Sequence, residues 1–187
     1  MAMPRQSKAL REAMHSGRFV RFYRRFEDSS IRGYVLDVGP EFFLLSLVSD
    51  RVRFDGFECF RISDVRNLRS DPYAKFAETA LKKRGEHKPK KPSINITNVG
   101  ALLVSASRVF PLVTIHRERI EPDICHIGRV LNVGDDCLSL LEIGPDAQWD
   151  DSATEYRIRE ITRVNFGGDY EDALHVVGDA PGKNQRR

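Results

Sequence analysis

The chain is poor in the residues that build dedicated chemical centres. Of its 187 residues, three are cysteine, one is tryptophan and five are histidine. Cys59, Cys125 and Cys137 are odd in number and sit in apolar or strand-like segments, which argues against a disulfide framework and predicts buried free thiols. The histidines (His15, His87, His116, His126 and His175) show no His-x-x-x-His or His-Glu-x-x-His spacing. Cys125 and His126 are adjacent, so on a strand they point to opposite faces and do not share an ion. There is no Gly-x-Ser-x-Gly turn and no Gly-x-x-x-x-Gly-Lys loop. No metal, cofactor or catalytic residue is expected, and the chain is expected not to be an enzyme. A long apolar run is missing too: residues 99–115, the most apolar stretch, are broken by Arg108 and Pro111 and are too short to cross a bilayer. The polar, basic N-terminus lacks the apolar segment of a secretory signal. A cytoplasmic protein with no membrane partner is the expectation.

What the chain does have is a duplication. Gly33-Tyr34-Val35-Leu36-Asp37-Val38-Gly39 returns 95 residues later as Gly128-Arg129-Val130-Leu131-Asn132-Val133-Gly134. Phe60-Arg61-Ile62-Ser63-Asp64-Val65 returns at an offset of 96 as Tyr156-Arg157-Ile158-Arg159-Glu160-Ile161. Two motifs kept in order and spacing require a structure that half the chain can build twice. With 41% hydrophobic and 30% charged residues the composition is that of an ordinary globular protein. Two small domains are therefore expected, residues 1–85 and 97–179. The Lys- and Pro-bearing run between them, residues 86–96, reads as a solvated linker, and residues 180–187 as a disordered tail.

Each copy carries helical spacing at both ends. Leu10 and Met14 precede the first copy, with Gly17 as a left-handed stop; Val99, Leu102, Leu103 and Ala106 precede the second. Asp71-Pro72 opens a helix that Gly85 closes, and Asp169 and Gly178 bracket its counterpart. Between the helices the period is two, and each copy holds about five short strands. The expected fold is mainly β with flanking helices: two tandem five-stranded small barrels. Gly33 and Gly128 fall inside strand patterns, where glycine marks a sharp bend or a close backbone approach.

A short helix, five bent strands and a Gly-x-aliphatic-x-x-aliphatic signal followed by a tight turn resemble the Sm-like barrel, or a generic SH3-like barrel, over residues 18–68 and 112–164. The resemblance implies oligomeric rings and RNA binding. The Sm-like base pocket, however, uses an Asp after the bend, where this chain has Gly39 and Gly134. It uses an Asn at the next strand, where the chain reads Phe42-Phe43-Leu44 and Cys137-Leu138-Ser139. The glycine of the family's Arg-Gly motif is absent at Arg61-Ile62 and Arg157-Ile158.

One face of the first strand carries Phe19, Arg21, Tyr23 and Arg25, an alternation of rings and guanidinium groups suited to bases and phosphates. Residues 1–92 hold 20 basic and 12 acidic residues, net +8, against 10 and 15, net −5, in residues 93–187. Lys88, Lys90 and Lys91 extend the basic region. The corresponding positions in the second copy are Leu112, Thr114, His116 and Glu118, and the basic face is lost. Arg61 with Asp64 and Arg157 with Glu160 are candidate repeated ion pairs. Trp149, within the acidic stretch 146–151, is a candidate protein contact or a cap folded onto its own barrel. The expected function is a non-enzymatic interaction or assembly module with a protein partner or with further copies of itself; the alternative is RNA or single-stranded nucleic-acid binding through the basic first half and linker.

Overall fold

Leu10, Ala13 and Met14 lie on one helical face, and α1 (Arg5–Ser16) forms on them in the computed structural model, which describes residues 5–178. Leu10 and Ala13 are fully buried. Gly17, at φ +62, ends the helix as its N–H donates to the Met14 carbonyl at 3.2 Å, a conformation open to glycine at little cost. Then come β1 (Val20–Arg24), β2 (Glu27–Val38), β3 (Phe42–Val48), β4 (Phe54–Arg61), a 3-10 turn (Ile62–Asp64), β5 (Val65–Ser70) and α2 (Ala74–Lys83). These belong to the first of two units, Met1–Pro92 and Ser93–Arg187. Its strands are antiparallel in the order β5-β1-β2-β3-β4.

Period-two burial builds the first unit's core. Phe22, Phe43 and Phe60 project from three strands with ring centroids 5.4–5.7 Å apart. Around them pack Leu10, Val20, Val35 and Leu45. Each fully buried phenylalanine contributes about 1.5–3 kcal/mol of transfer free energy, so this trio anchors the unit.

The second unit repeats the plan. It runs through α3 (Val99–Val109), β6 (Val113–His116), β7 (Cys125–Val133), β8 (Cys137–Glu142), β9 (Thr154–Arg157), a 3-10 turn (Ile158–Glu160), β10 (Arg163–Phe166) and α4 (Asp169–Val177). The strand order is β10-β6-β7-β8-β9, the first unit's order copied strand for strand. Asn98 caps α3 by accepting the Ala101 N–H at 2.8 Å.

The repeated residues have repeated reasons. A Cβ on Gly33 would stand 2.1 Å from the Ser46 carbonyl oxygen, and one on Gly128 would stand 2.2 Å from that of Leu141. Both glycines are therefore fixed by close approach of the neighbouring strand. Two residues on, the ladder slips between Val35 and Asp37 and again between Val130 and Asn132, a bulge that bends the long strand. The turns match as well: Gly39 N–H to Phe42 carbonyl and Gly134 N–H to Cys137 carbonyl are both 2.8 Å. Ile62 N–H reaches the Glu41 carbonyl at 2.8 Å and Ile158 N–H the Asp136 carbonyl at 2.9 Å.

Three expectations change. Closed barrels were expected, but each unit's strand order is open, with β5 and β4 at its ends in the first and β10 and β9 in the second. The 3-10 turns occupy the corner between the last two strands, so those strands follow one another without pairing. The basic linker keeps His87, Lys88, Lys90 and Lys91 exposed but is also strapped to the first unit rather than free. Glu86 pairs with Arg53 at 3.4 Å and accepts the Phe54 N–H, Lys88 lies 4.5 Å over the Tyr34 ring, and Lys91 pairs with Asp37. A long lysine side chain can meet a ring or a carboxylate on β2 and still leave its head in water. Of the cysteines, only Cys59 is buried; Cys125 and Cys137 are exposed on the outer faces of their strands. The tail expected over 180–187 lies outside the described residues.

Candidate functional site

β1 sits between β2 and β5, and its register aligns like charges. Arg21 is the direct partner of Arg32 on β2 and of Arg69 on β5, so three guanidinium groups lie in one row on one face. Tyr23 stands opposite Arg66 on β5. Two carboxylates temper the row: Arg32 pairs with Asp71 at 3.2 Å and with the exposed Asp50 at 3.7 Å. Arg21 Nε and Arg32 Nε are both buried without a hydrogen-bond partner. Arg32 and Arg69 carry no sequence signal of their own, because only the pairing register brings them beside Arg21.

The other candidates spread out. Phe19 is 2% exposed and packs with Tyr34, 5.2 Å between centroids, so it is not a surface ring for stacking beside Arg21. Arg25 turns to Asp64 at 3.7 Å and lies 5.7 Å from the Phe26 ring. Lys88, Lys90 and Lys91 are all exposed, and Lys88 and Lys91 also reach side chains on β2. Burial lowers the Lys88 ammonium pKa below its ordinary value. Trp149 packs partly buried against Leu112, Ile143, Ala147 and Leu174, with Arg129 over its ring at 5.4 Å. That contact holds the loop to its own unit.

A second constellation escaped sequence reading. Period two places Arg24 on the inward row Val20, Phe22, Arg24. Its side chain has no exposure; it pairs with Glu27 at 2.8 Å and lies over the Phe60 ring at 4.9 Å. In the second unit Arg117 holds the same place: it pairs with Glu121 at 2.6 Å and lies 4.8 Å over the ring of Tyr156, the residue in Phe60's position. A guanidinium on an aromatic ring is thus built into both units. Arg61 of the first repeated motif pairs with Glu41 at 2.8 Å, and Glu160 of the second pairs with Arg117 at 3.1 Å.

Around Arg117 the second unit adds titrating groups. His126 on β7 has Nε2 at 2.6 Å from Glu121 and Nδ1 at 2.9 Å from Glu142 on β8. The Tyr156 hydroxyl reaches Glu142 at 2.5 Å and His126 Nδ1 at 2.8 Å. Burial pushes the Tyr156 hydroxyl well up, and the neighbouring Glu142 charge adds to it. Burial would raise Glu121, but hydrogen bonds and charge from His126 and Arg117 outweigh it and hold the carboxyl below its usual range. These side-chain contacts among Glu121, His126, Glu142 and Tyr156 tie β7, β8, β9 and the 117–124 loop together.

Compared with protein-family models, with curated proteins and with solved structures, the chain matches none.

Proposed function

We propose that this chain is a non-enzymatic interaction module made of two Sm-like β units, working in assembly with a protein partner or with further copies of itself. The observation that carries the reading is the duplicated strand order, with the glycine bend, the bulge and the 3-10 corner at matching places in both units. A duplicated scaffold whose repeated residues serve the backbone and the core leaves the two surfaces free to diverge, here to net +8 and net −5, which suits contact with other chains. Light scattering over a concentration series tests it: a mass rising above the 21.4 kDa of one chain supports self-assembly. A mass fixed at one chain throughout, with no partner recovered by crosslinking in cells, overturns it.

The row Arg21, Arg32, Arg69 favours a second reading, binding of RNA or single-stranded DNA by the first unit. Purified protein carrying nuclease-sensitive nucleic acid, with affinity falling steeply in salt, supports that reading; affinity independent of salt overturns it.

A further inference from the structure

The face that carries the arginine row also holds a cavity of about 190 Å³. Its floor and walls are Phe19, Val48, Val52 and Ala77, and its rim is Tyr73 and Phe76, two rings left 65% and 66% exposed. The space suits one aromatic ring, since an apolar cavity of about 150 Å³ admits benzene. The wall is firmly built. Val52 is held at φ +55, a conformation that β-branched residues avoid. The Arg84 guanidinium donates to the Arg51 and Val52 carbonyls at 2.5 and 3.0 Å, locking that loop in place.

Arg32 belongs both to this cavity and to the arginine row. Its counter-ion Asp71 is buried behind it, at 1% side-chain exposure, while the Arg32 side chain as a whole is 33% exposed. Arg21, alongside, has no ion pair among the described residues. Like charges directly opposed on a sheet are unfavourable, and a bound anion would relieve them. Guanidinium forks suit phosphate oxygens in particular. We propose that cavity and row form one site for an aryl phosphate, with the ring between Tyr73 and Phe76 over Ala77 and the phosphate on Arg21 and Arg32. The proposal goes beyond the assembly reading and does not depend on it.

Titration of the full chain with phenyl phosphate, followed by proton–nitrogen correlation spectra, tests the site; inorganic phosphate and benzyl alcohol serve as the two half-ligands. Phenyl phosphate binds at least about tenfold tighter than either, with shifts at the Val48 and Ala77 amides and the Arg32 Nε–H. Phe76→Ala and Arg21→Gln, both at surface side chains, each weaken binding about tenfold, while Lys8→Gln on α1 leaves it unchanged. A phosphotyrosyl peptide that binds more tightly than phenyl phosphate through the same residues marks the ring as one carried on a protein; equal binding marks a free small molecule. Inorganic phosphate binding as tightly as phenyl phosphate, Lys8→Gln weakening binding as much as Arg21→Gln, or shifts confined to other residues would each overturn the proposal.

Discussion

At the scale of single residues, the repeats are explained by what a changed side chain would hit. Gly33→Ala and Gly128→Ala would each drive a methyl group into a carbonyl oxygen of the adjacent strand, 2.1 and 2.2 Å away. Backbone cannot give as a flexible side chain can, so each substitution should cost about 1–3 kcal/mol or more, read as a lower midpoint in urea. An unchanged midpoint would mean the strands separate freely there. Arg24 makes the opposite point, because its cost comes from removal. Arg24→Ala strips a fully buried side chain from the Phe60 ring and from Glu27, whose side chain is 22% exposed, so the lost packing and charged hydrogen bond should together cost about 2–5 kcal/mol. Arg24→Met, which keeps the volume, should recover much of that.

At the scale of elements, the polar cluster links β7, β8, β9 and the 117–124 loop, and pH should loosen it. The Glu121 carboxyl is held below its usual range in the folded chain, so its contribution is fully present above the ordinary glutamate value of about 4.3 and is lost as pH falls through the folded value. Amide exchange should accelerate on acidification in the 117–124 loop before β3 and β4 of the first unit. Simultaneous loosening of both regions would assign acid sensitivity elsewhere. At the alkaline end, burial and the Glu78 carboxylate raise Tyr34 to about 12. The unfolded chain then ionises first, and the first unit should lose stability as pH climbs from about 10 towards 12. Tyr34→Phe should flatten that slope in equilibrium unfolding. Elements were the most legible level of the sequence. Gly17, Gly85 and Gly178 mark helix ends by local chemistry, and the period-two runs became strands. Arg24 falls on the inward face by plain period two, but its burial was not legible, because a charged residue is buried only where a partner such as Glu27 and a ring such as Phe60 meet it. Arg32 and Arg69 were not legible either, since cross-strand register is a long-range property.

At the scale of the whole molecule, the chain divides into units Met1–Pro92 and Ser93–Arg187. Composition marked residues 86–96 as a solvated linker; Lys88, Lys90 and Lys91 are exposed, and 86–92 also lie along the first unit through Glu86, Lys88 and Lys91. Composition reports what a segment is able to bury; it cannot report that Tyr34 and Asp37 on β2 await a cation. The first unit contains its own aromatic core and its own strap, so a fragment of residues 1–92 should fold alone with the dispersed amide spectrum of the full chain. A fragment ending at residue 85 keeps every strand but loses the strap. Its lost contacts are one cation over a ring, worth about 0.5–1 kcal/mol, and two ion pairs of about 0–1 kcal/mol each. The shorter fragment should therefore unfold at lower urea by about 1–2 kcal/mol, and Lys88→Ala in the longer one should reproduce part of that loss. Equal midpoints for the two fragments would return residues 86–92 to the role of a free linker; an unfolded 1–92 fragment would show instead that the first unit's core is not sufficient without the rest of the chain.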